Sequence, residues 1–73
     1  MDTTIAIGMV LDELSFATSK FGKFNSTHEG YAVILEELDE LWEQVKFNGT
    51  QAEMAKEAIQ VTAMGLRFLM DCC

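Results

Sequence analysis

Apolar residues recur along the chain at the three- and four-residue spacing of α-helices, and two short polar breaks interrupt this pattern. The breaks fall at residues 24–27 and 48–50, and proline is absent. The pattern therefore predicts an all-α fold of three helices, the first running roughly over residues 3–23. Because no repeat or low-complexity linker divides the chain, we expect residues 1–73 to form a single helical domain.

Two sequence signals mark the starts of the second and third helices. Ser26 with Glu29, and Thr50 with Glu53, each have the spacing of a capping box. In a capping box the hydroxyl group accepts a hydrogen bond from the backbone N–H three residues later, and the Glu carboxylate accepts one from the first residue's N–H. We therefore expect helices to begin beside Ser26 and Thr50.

The apolar stripes predict which helix faces are buried. The first helix has two apolar faces, so we expect two neighbours for it; one face carries Ile7, Leu11, Leu14 and Phe21, and the other carries Ile5, Met9 and Phe16. In the second helix, the stripe predicted to be core consists of Tyr31, Ile34, Leu35, Leu38, Leu41, Trp42 and Val45. Glu37 lies on the flank of that stripe and should be partly buried. The third helix is apolar over more than half its circumference, which predicts neighbours on most sides.

The amount of apolar side chain exceeds what so short a chain can hide. Hydrophobic residues make up 49% of the 73 residues, yet a domain of this size buries only about 60% of its unfolded surface. A subunit interface is the natural place for the remainder. We therefore expect a homo-oligomer, either a dimer or a tetramer.

Charge narrows the classes of partner. The formal net charge is −7, with 12 acidic residues against 5 Lys and Arg, and such a surface repels nucleic-acid polymers and anionic membranes. No apolar stretch has the form of a signal peptide or a membrane span, so a cytoplasmic location is expected. Cys72 and Cys73 are adjacent, cannot staple distant segments, and are compatible with a reducing compartment.

Two acidic pairs are candidates for metal binding. Glu37 and Glu40 are three residues apart on one predicted helix, and Glu57 and Gln60 are three apart on the next. Neighbouring helices can therefore direct both pairs of oxygen atoms at one point. All-oxygen ligands suit Mg²⁺, or Mn²⁺ in its place. The alternative is a solvated acidic face opposite an apolar one, which is the more common use of such a pattern.

The same residues carry a family resemblance. Glu36 to Glu40 read EELDE, and Glu57 follows Glu40 by 17 residues. This arrangement resembles the EExxE…ExxD signature of the MazG-like nucleoside triphosphate pyrophosphohydrolases. The flanking segments also resemble the small phage and bacterial members of that family; they read FGKFNSTHEGYAVILEELDELWEQV from residue 21 and KEAIQVTAMGLRFL from residue 56. From residue 21 to residue 69 the resemblance spans about two thirds of the chain.

The resemblance implies a three-helix subunit of an oligomeric bundle and a specific reaction. That reaction is the Mg²⁺-dependent cleavage of a (deoxy)nucleoside triphosphate into monophosphate and pyrophosphate. Carried over residue by residue, Glu37, Glu40 and Glu57 match metal-binding positions. Glu36 matches the first acid of the motif, which is a ligand or an orienter of the attacking water, and it is our candidate for the group that takes the proton of that water.

The chain departs from the signature at its last position, where Gln60 replaces Asp. An amide can coordinate a cation through its carbonyl oxygen, but it supplies no charge and cannot act as a base. This difference keeps open an alternative function. The chain could be a catalytically degenerate helical module that serves in nucleotide sensing or protein association.

The loop before the second helix offers further candidates for substrate contact. Lys20 and Lys23 flank Phe21 and Phe24, which would provide charge for phosphates and rings for stacking a base. The alternative is a helix C-terminus stabilised by Lys, with the Phe side chains in the core.

Three more residues have equally open assignments. His28 is either an exposed first-turn residue or a contact to base or phosphate. Asn25 either hydrogen-bonds a base or simply makes the turn. Arg67 could reach a phosphate, although an ion pair with Asp71, four residues later, is the simpler use.

Overall fold

The computed structural model describes residues 1–73 and contains three helices: α1 (Thr3–Phe21), α2 (Thr27–Lys46) and α3 (Gln51–Cys72). The all-α class and the number of helices are as predicted. Helix α1 ends at Phe21, two residues earlier than expected, because Gly22 adopts a φ of 70°. That left-handed conformation is readily available only to glycine and ends the helix. None of the three helices combines the length and apolarity needed to cross a membrane.

Side-chain caps fix the helix starts. Thr50 and Glu53 form the complete capping box that the sequence predicts. The predicted box at Ser26 is only half formed. Ser26 Oγ accepts from Glu29 N at 3.0 Å, but the Glu29 carboxylate accepts from the backbone and side-chain nitrogens of Asn25, at 3.1 and 3.0 Å. Asn25 offers two donors where Ser26 offers one backbone N–H, which accounts for the difference.

Helix α3 is the central helix. It packs against both α1 and α2, whereas α1 and α2 do not pack against each other. The buried apolar core consists of Ala17, Phe24, Ala63 and Met64. Gly30 brings α2 close to α3, since a Cβ atom at this position would lie 2.8 Å from the Phe68 ring. The result is an open, V-like arrangement with a cleft between the two outer helices.

The predicted core stripe of α2 is wrong for the single chain. Five of its seven members are exposed, namely Tyr31, Leu35, Leu38, Trp42 and Val45, whereas Ile34 and Leu41 are half-buried. Trp42 itself is 57% exposed. The face that packs on α3 is rotated toward Gly30 and Val33, because the absence of a side chain at Gly30 permits the closest approach of the two helices.

The two predicted apolar faces of α1 are also largely exposed. Small and medium side chains make the contact with α3 instead; Val10, Leu14 and Ala17 lie against or within the core. Most of the larger residues that we expected to be buried face away from it, namely Ile5, Ile7, Met9, Leu11, Phe16 and Phe21. A single chain therefore provides α1 with one neighbour rather than two.

Candidate metal centre and adjoining cleft

Three glutamates from two helices converge near the middle of the α2–α3 interface. Glu37 and Glu40 lie one turn apart on α2, and Glu57 faces them from α3. Each residue contributes one carboxylate oxygen to a group in which all the oxygens lie within 4.8 Å of one another. All three side chains are half-buried, as predicted for Glu37. Glu40 lies inward with them because α2 is rotated toward Gly30 and Val33.

Two carboxylate oxygens of this group lack protein partners. Glu37 Oε2 and Glu57 Oε2 are both buried and accept no hydrogen bond. Burial, followed by the negative charge of Glu40, raises the pKa of Glu37 to about 7. Burial also raises the pKa of Glu57, with Glu40 again contributing. Buried carboxylate oxygens without partners are costly, so the residues present fit a hard divalent cation, which would bind both oxygens and offset two of the three negative charges.

A cleft adjoins this acidic group. It lies between α1 and α2 with α3 as its floor, and its volume is about 590 Å³. Glu36, Glu37 and Gln60 line one part of it, so the first acid of the motif and the position that departs from the signature face the same space. Glu36 is exposed to solvent and Gln60 is half-buried. The cleft thus connects the glutamates to solvent.

Arg67 lines the same cleft and is only 4% exposed. Its Nη2 donates to Gly22 O at 2.6 Å, its Nη1 contacts Met64 Sδ at 3.4 Å, and its guanidinium lies 4.2 Å from the Phe24 ring centroid. Arg67 Nε is buried and has no partner. The ion pair expected with Asp71 is replaced by other contacts, because Asp71 caps the loop by accepting from Phe24 N at 3.1 Å.

The other predicted substrate contacts divide into two groups. Lys20 and Phe24 line the cleft together with Arg67. Lys23, Asn25 and His28 are exposed and do not line it. Asn25 makes the turn through its hydrogen bonds to Glu29, and these bonds lower the pKa of the Glu29 carboxyl group. His28 lies in the first turn of α2.

No model of a known protein family matches the chain, and no curated protein or solved structure is significantly similar to it. A function can therefore be argued only from the chain's own carboxylates, its cleft and the motif between Glu36 and Gln60.

Sequence reasoning missed two residues of α1 that line the cleft. Glu13 is half-buried and Phe16 is exposed. The missed signal is the spacing of Val10, Leu14 and Ala17, which is that of a helix face packed closely on a neighbour. Residues on either side of that face, including Glu13, therefore lie beside α3, the helix on which the face packs.

Proposed function

We propose that this protein is a Mg²⁺-dependent nucleoside triphosphate pyrophosphohydrolase of the MazG-like type, which converts a (deoxy)nucleoside triphosphate into the monophosphate and pyrophosphate. The observation that carries the proposal is the group of Glu37, Glu40 and Glu57, with oxygens within 4.8 Å of one another and two of them buried without partners. The adjoining cleft of about 590 Å³ falls within the roughly 300–1,000 Å³ usual for small-molecule sites.

Electrostatics supports the requirement for a metal. A triphosphate would be repelled by the carboxylates unless a cation lay between them. Glu37, Glu40 and Glu57 would hold that cation, with Gln60 offering a neutral carbonyl oxygen. When bound, the cation supplies charge neutralisation at the phosphate oxygens and lowers the pKa of a bound water.

In the proposed reaction, Glu36 takes a proton from the attacking water. The water oxygen forms a bond to the α-phosphorus, and the bond from that phosphorus to the oxygen bridging the β-phosphate breaks. Pyrophosphate leaves with the bonding electrons. Glu36 suits this role because it is exposed on the cleft beside Glu37 but is not one of the three converging glutamates.

The proposal includes a homo-oligomer, a dimer or tetramer in which chains cover each other's apolar faces. Its main support is the exposed stripe of α2, hereafter the α2 seam, made of Tyr31, Leu35, Leu38, Trp42 and Val45. Its members are spaced four, three, four and three residues apart, which is the heptad spacing of helices that pack knobs into holes. The exposed faces of α1 offer a second apolar surface.

Product analysis tests the proposed reaction. The protein is incubated with a panel of nucleoside triphosphates in Mg²⁺, Mn²⁺, Zn²⁺ or a chelator. We expect monophosphate and pyrophosphate in equal amounts with Mg²⁺ or Mn²⁺, because the ligands are all oxygen. We expect no product with the chelator, because the reaction requires a metal. Release of orthophosphate with a diphosphate remaining would contradict attack at the α-phosphorus.

One observation favours a second candidate function, a binding module for nucleotide sensing or protein association. Gln60 lines the cleft where the family signature has an acid. A neutral amide leaves nucleotide binding possible while removing one negative ligand. Replacement of Gln60 by Asp separates the two candidate functions.

A further inference from the structure

We infer that the part of the cleft around Arg67 binds the nucleobase and favours bases that carry an exocyclic carbonyl oxygen. This inference rests on the proposed function only in taking a nucleotide as the occupant of the cleft. The carboxylates at Glu36 and Glu37 and the guanidinium of Arg67 line one continuous space. A nucleotide can therefore direct its phosphates toward the acidic group, through a cation, and its base toward Arg67.

The first argument is the unsatisfied state of Arg67. Its side chain is 4% exposed, and the two acceptors that it contacts are the Gly22 carbonyl and a weakly accepting sulfur. The Nε atom has no partner. A buried guanidinium without an ion-pair partner within 4 Å is costly, and the carboxylate that its charge reaches is that of Glu29, which lines the same cleft. An acceptor supplied by a ligand would offset that cost, since Nη1 and Nη2 each retain a further N–H.

The second argument is the aromatic character of the surroundings. Phe16 and Phe21 are 56% and 64% exposed and line the cleft on its α1 side. The Lys20 ammonium group lies over both rings, 5.5 and 5.1 Å from their centroids. Phe24 closes the inner side beneath the Arg67 guanidinium. Aromatic faces of this kind stack planar rings and offer little to a phosphate.

Burial of Arg67 decides between base and phosphate at this position. A phosphate clamp needs a guanidinium that presents two parallel donors to the ligand. Here Nη2 is held by Gly22 O, and one face of the guanidinium is covered by Phe24. The N–H groups that remain free form a donor edge, and because only 4% of the side chain is exposed, this edge can meet a single carbonyl oxygen at the rim of a flat ring but cannot be straddled by a phosphate.

The donor edge also explains the expected preference. Guanine, cytosine, uracil and thymine each carry an exocyclic carbonyl oxygen, which in cytosine is O2 because its position 4 bears an amino group, whereas the only exocyclic group of adenine is an amino donor. A donor facing a donor leaves the buried Arg67 N–H groups unpaired, and such mismatches discriminate strongly between ligands. Adenine nucleotides should therefore be the weakest of the panel.

The test uses the full chain in a chelator, so that the metal site plays no part. Calorimetry compares GMP, CMP, UMP and AMP with ribose 5-phosphate. We expect GMP, CMP and UMP, the three oxo-bearing nucleotides, to bind at least about tenfold more tightly than ribose 5-phosphate, in line with the stacking of one base. The affinity of AMP should lie between theirs and that of ribose 5-phosphate. Equal affinity for ribose 5-phosphate and all four nucleotides would overturn the inference.

Two variants test whether the exposed ring of Phe21 contributes to nucleotide binding. Phe21→Ala should weaken binding of the oxo-bearing nucleotides roughly five- to 100-fold. Phe47→Ala is the matched control, because Phe47 is also exposed and also lies 5.1 Å from a Lys ammonium group, yet is outside the cleft. Equal losses in the two variants would remove the aromatic part of the site.

Arg67→Lys should reduce the preference for oxo-bearing bases over adenine, whereas an unchanged preference would contradict the role of Arg67. If circular dichroism shows that this variant does not fold, the Phe21→Ala comparison decides. Nucleotide binding in chelator without any pyrophosphate release in Mg²⁺ would refute the proposed function but leave the base site standing. Mg²⁺-dependent pyrophosphate release that is equally fast for every base and unchanged in Phe21→Ala would support the proposed function but refute the base site.

Discussion

The Arg67 guanidinium on α3 donates a 2.6 Å hydrogen bond to the backbone carbonyl oxygen of Gly22, 45 positions earlier in the chain. Gly22 is the residue at which α1 ends. The contact therefore fixes the C-terminal end of α1 against α3, and with it the width of the cleft at that end. Phe24, stacked on the same guanidinium, fixes the loop that follows.

Replacement of Arg67 should lower stability measurably. Arg67→Met keeps much of the buried apolar stem but leaves the Gly22 carbonyl oxygen without its charged donor. Loss of a hydrogen bond to a charged group costs roughly 1.5–3 kcal/mol, and removal of the buried guanidinium offsets part of that loss, so we expect the free energy of unfolding to fall by about 1 kcal/mol. Urea denaturation measures this at fixed protein concentration. Lys56→Met, an exposed change on the same helix, is the control and should change stability little.

Glu40→Gln tests the metal centre. After burial, Glu40 contributes most to raising the pKa of both Glu37 and Glu57, so its carboxylate lies close to both. The neutral amide should weaken Mg²⁺ binding at least about tenfold and abolish or greatly lower turnover, while the helical circular dichroism spectrum is retained. Glu43→Gln, an exposed change one turn away, should leave both unchanged. Unaltered Mg²⁺ affinity in Glu40→Gln would disprove the cation site.

Gln60→Asp separates the enzyme from the binding module. The substitution restores the charge that the family signature has at this position and should tighten Mg²⁺ binding, although the shorter Asp side chain reaches less far. Calorimetry with Mg²⁺ and pyrophosphate release are measured for the parent and the variant. A parent that binds nucleotide without hydrolysing it, beside a variant that gains turnover, would establish that the natural chain is a binding protein.

The raised pKa of Glu37 predicts how stability depends on pH. Between the ordinary value of 4.5 and about 7 the folded protein holds a proton that the unfolded chain releases. Metal-free stability is therefore greatest near the lower value and should fall as pH rises through this window. Glu57 acts in the same direction, whereas Glu29, whose pKa is lowered, is ionised in both states across it.

Urea midpoints measured across that pH range test this expectation. In Glu37→Gln the midpoint should depend less steeply on pH. Saturating Mg²⁺ should reverse the sign, since a cation binds the deprotonated carboxylates. A metal-free stability that rises between about pH 5 and about pH 7 would show that the carboxylates are better solvated than their burial indicates.

The α2 seam predicts how the oligomer is disrupted. Leu38→Glu places a charge in the middle of the five-residue stripe and should convert the oligomer into monomers, because burying an unpaired carboxylate between helices is costly. Light scattering at micromolar concentration gives the mass of each species. Asp39→Asn, the adjacent exposed position, should leave the mass unchanged. A parent that is already a stable monomer would refute the oligomer.

The sequence predicts the helices well and their packing faces poorly, and the two have different physical origins. Capping residues and polar breaks act locally, so Thr50 and Glu53 could be assigned directly. The orientation of α2 depends instead on a close approach at Gly30, where the missing side chain admits the Phe68 ring. Hydrophobicity alone favours Leu38 and Trp42 as core, and nothing local distinguishes a face buried within a chain from one left exposed by it.

The candidate site likewise contains residues that the sequence predicts and residues that it does not. Glu37, Glu40 and Glu57 could be grouped from their spacing because two adjacent helices share one interface. Burial of Arg67 and its contact with Gly22 could not, since both depend on where a loop 45 residues away meets α3. The pattern of Val10, Leu14 and Ala17 would have oriented α1 correctly had side-chain size been weighed beside hydrophobicity.

The absence of packing between α1 and α2 gives this small fold two parts that can evolve separately. The glutamate group belongs to the α2–α3 interface, whereas Glu13, Phe16 and Lys20 reach the cleft from α1. Substitutions on α1 can therefore reshape what enters the cleft without moving the carboxylates. A lineage of such proteins could acquire new ligands by drift on one helix while the chemistry carried by the other two is conserved.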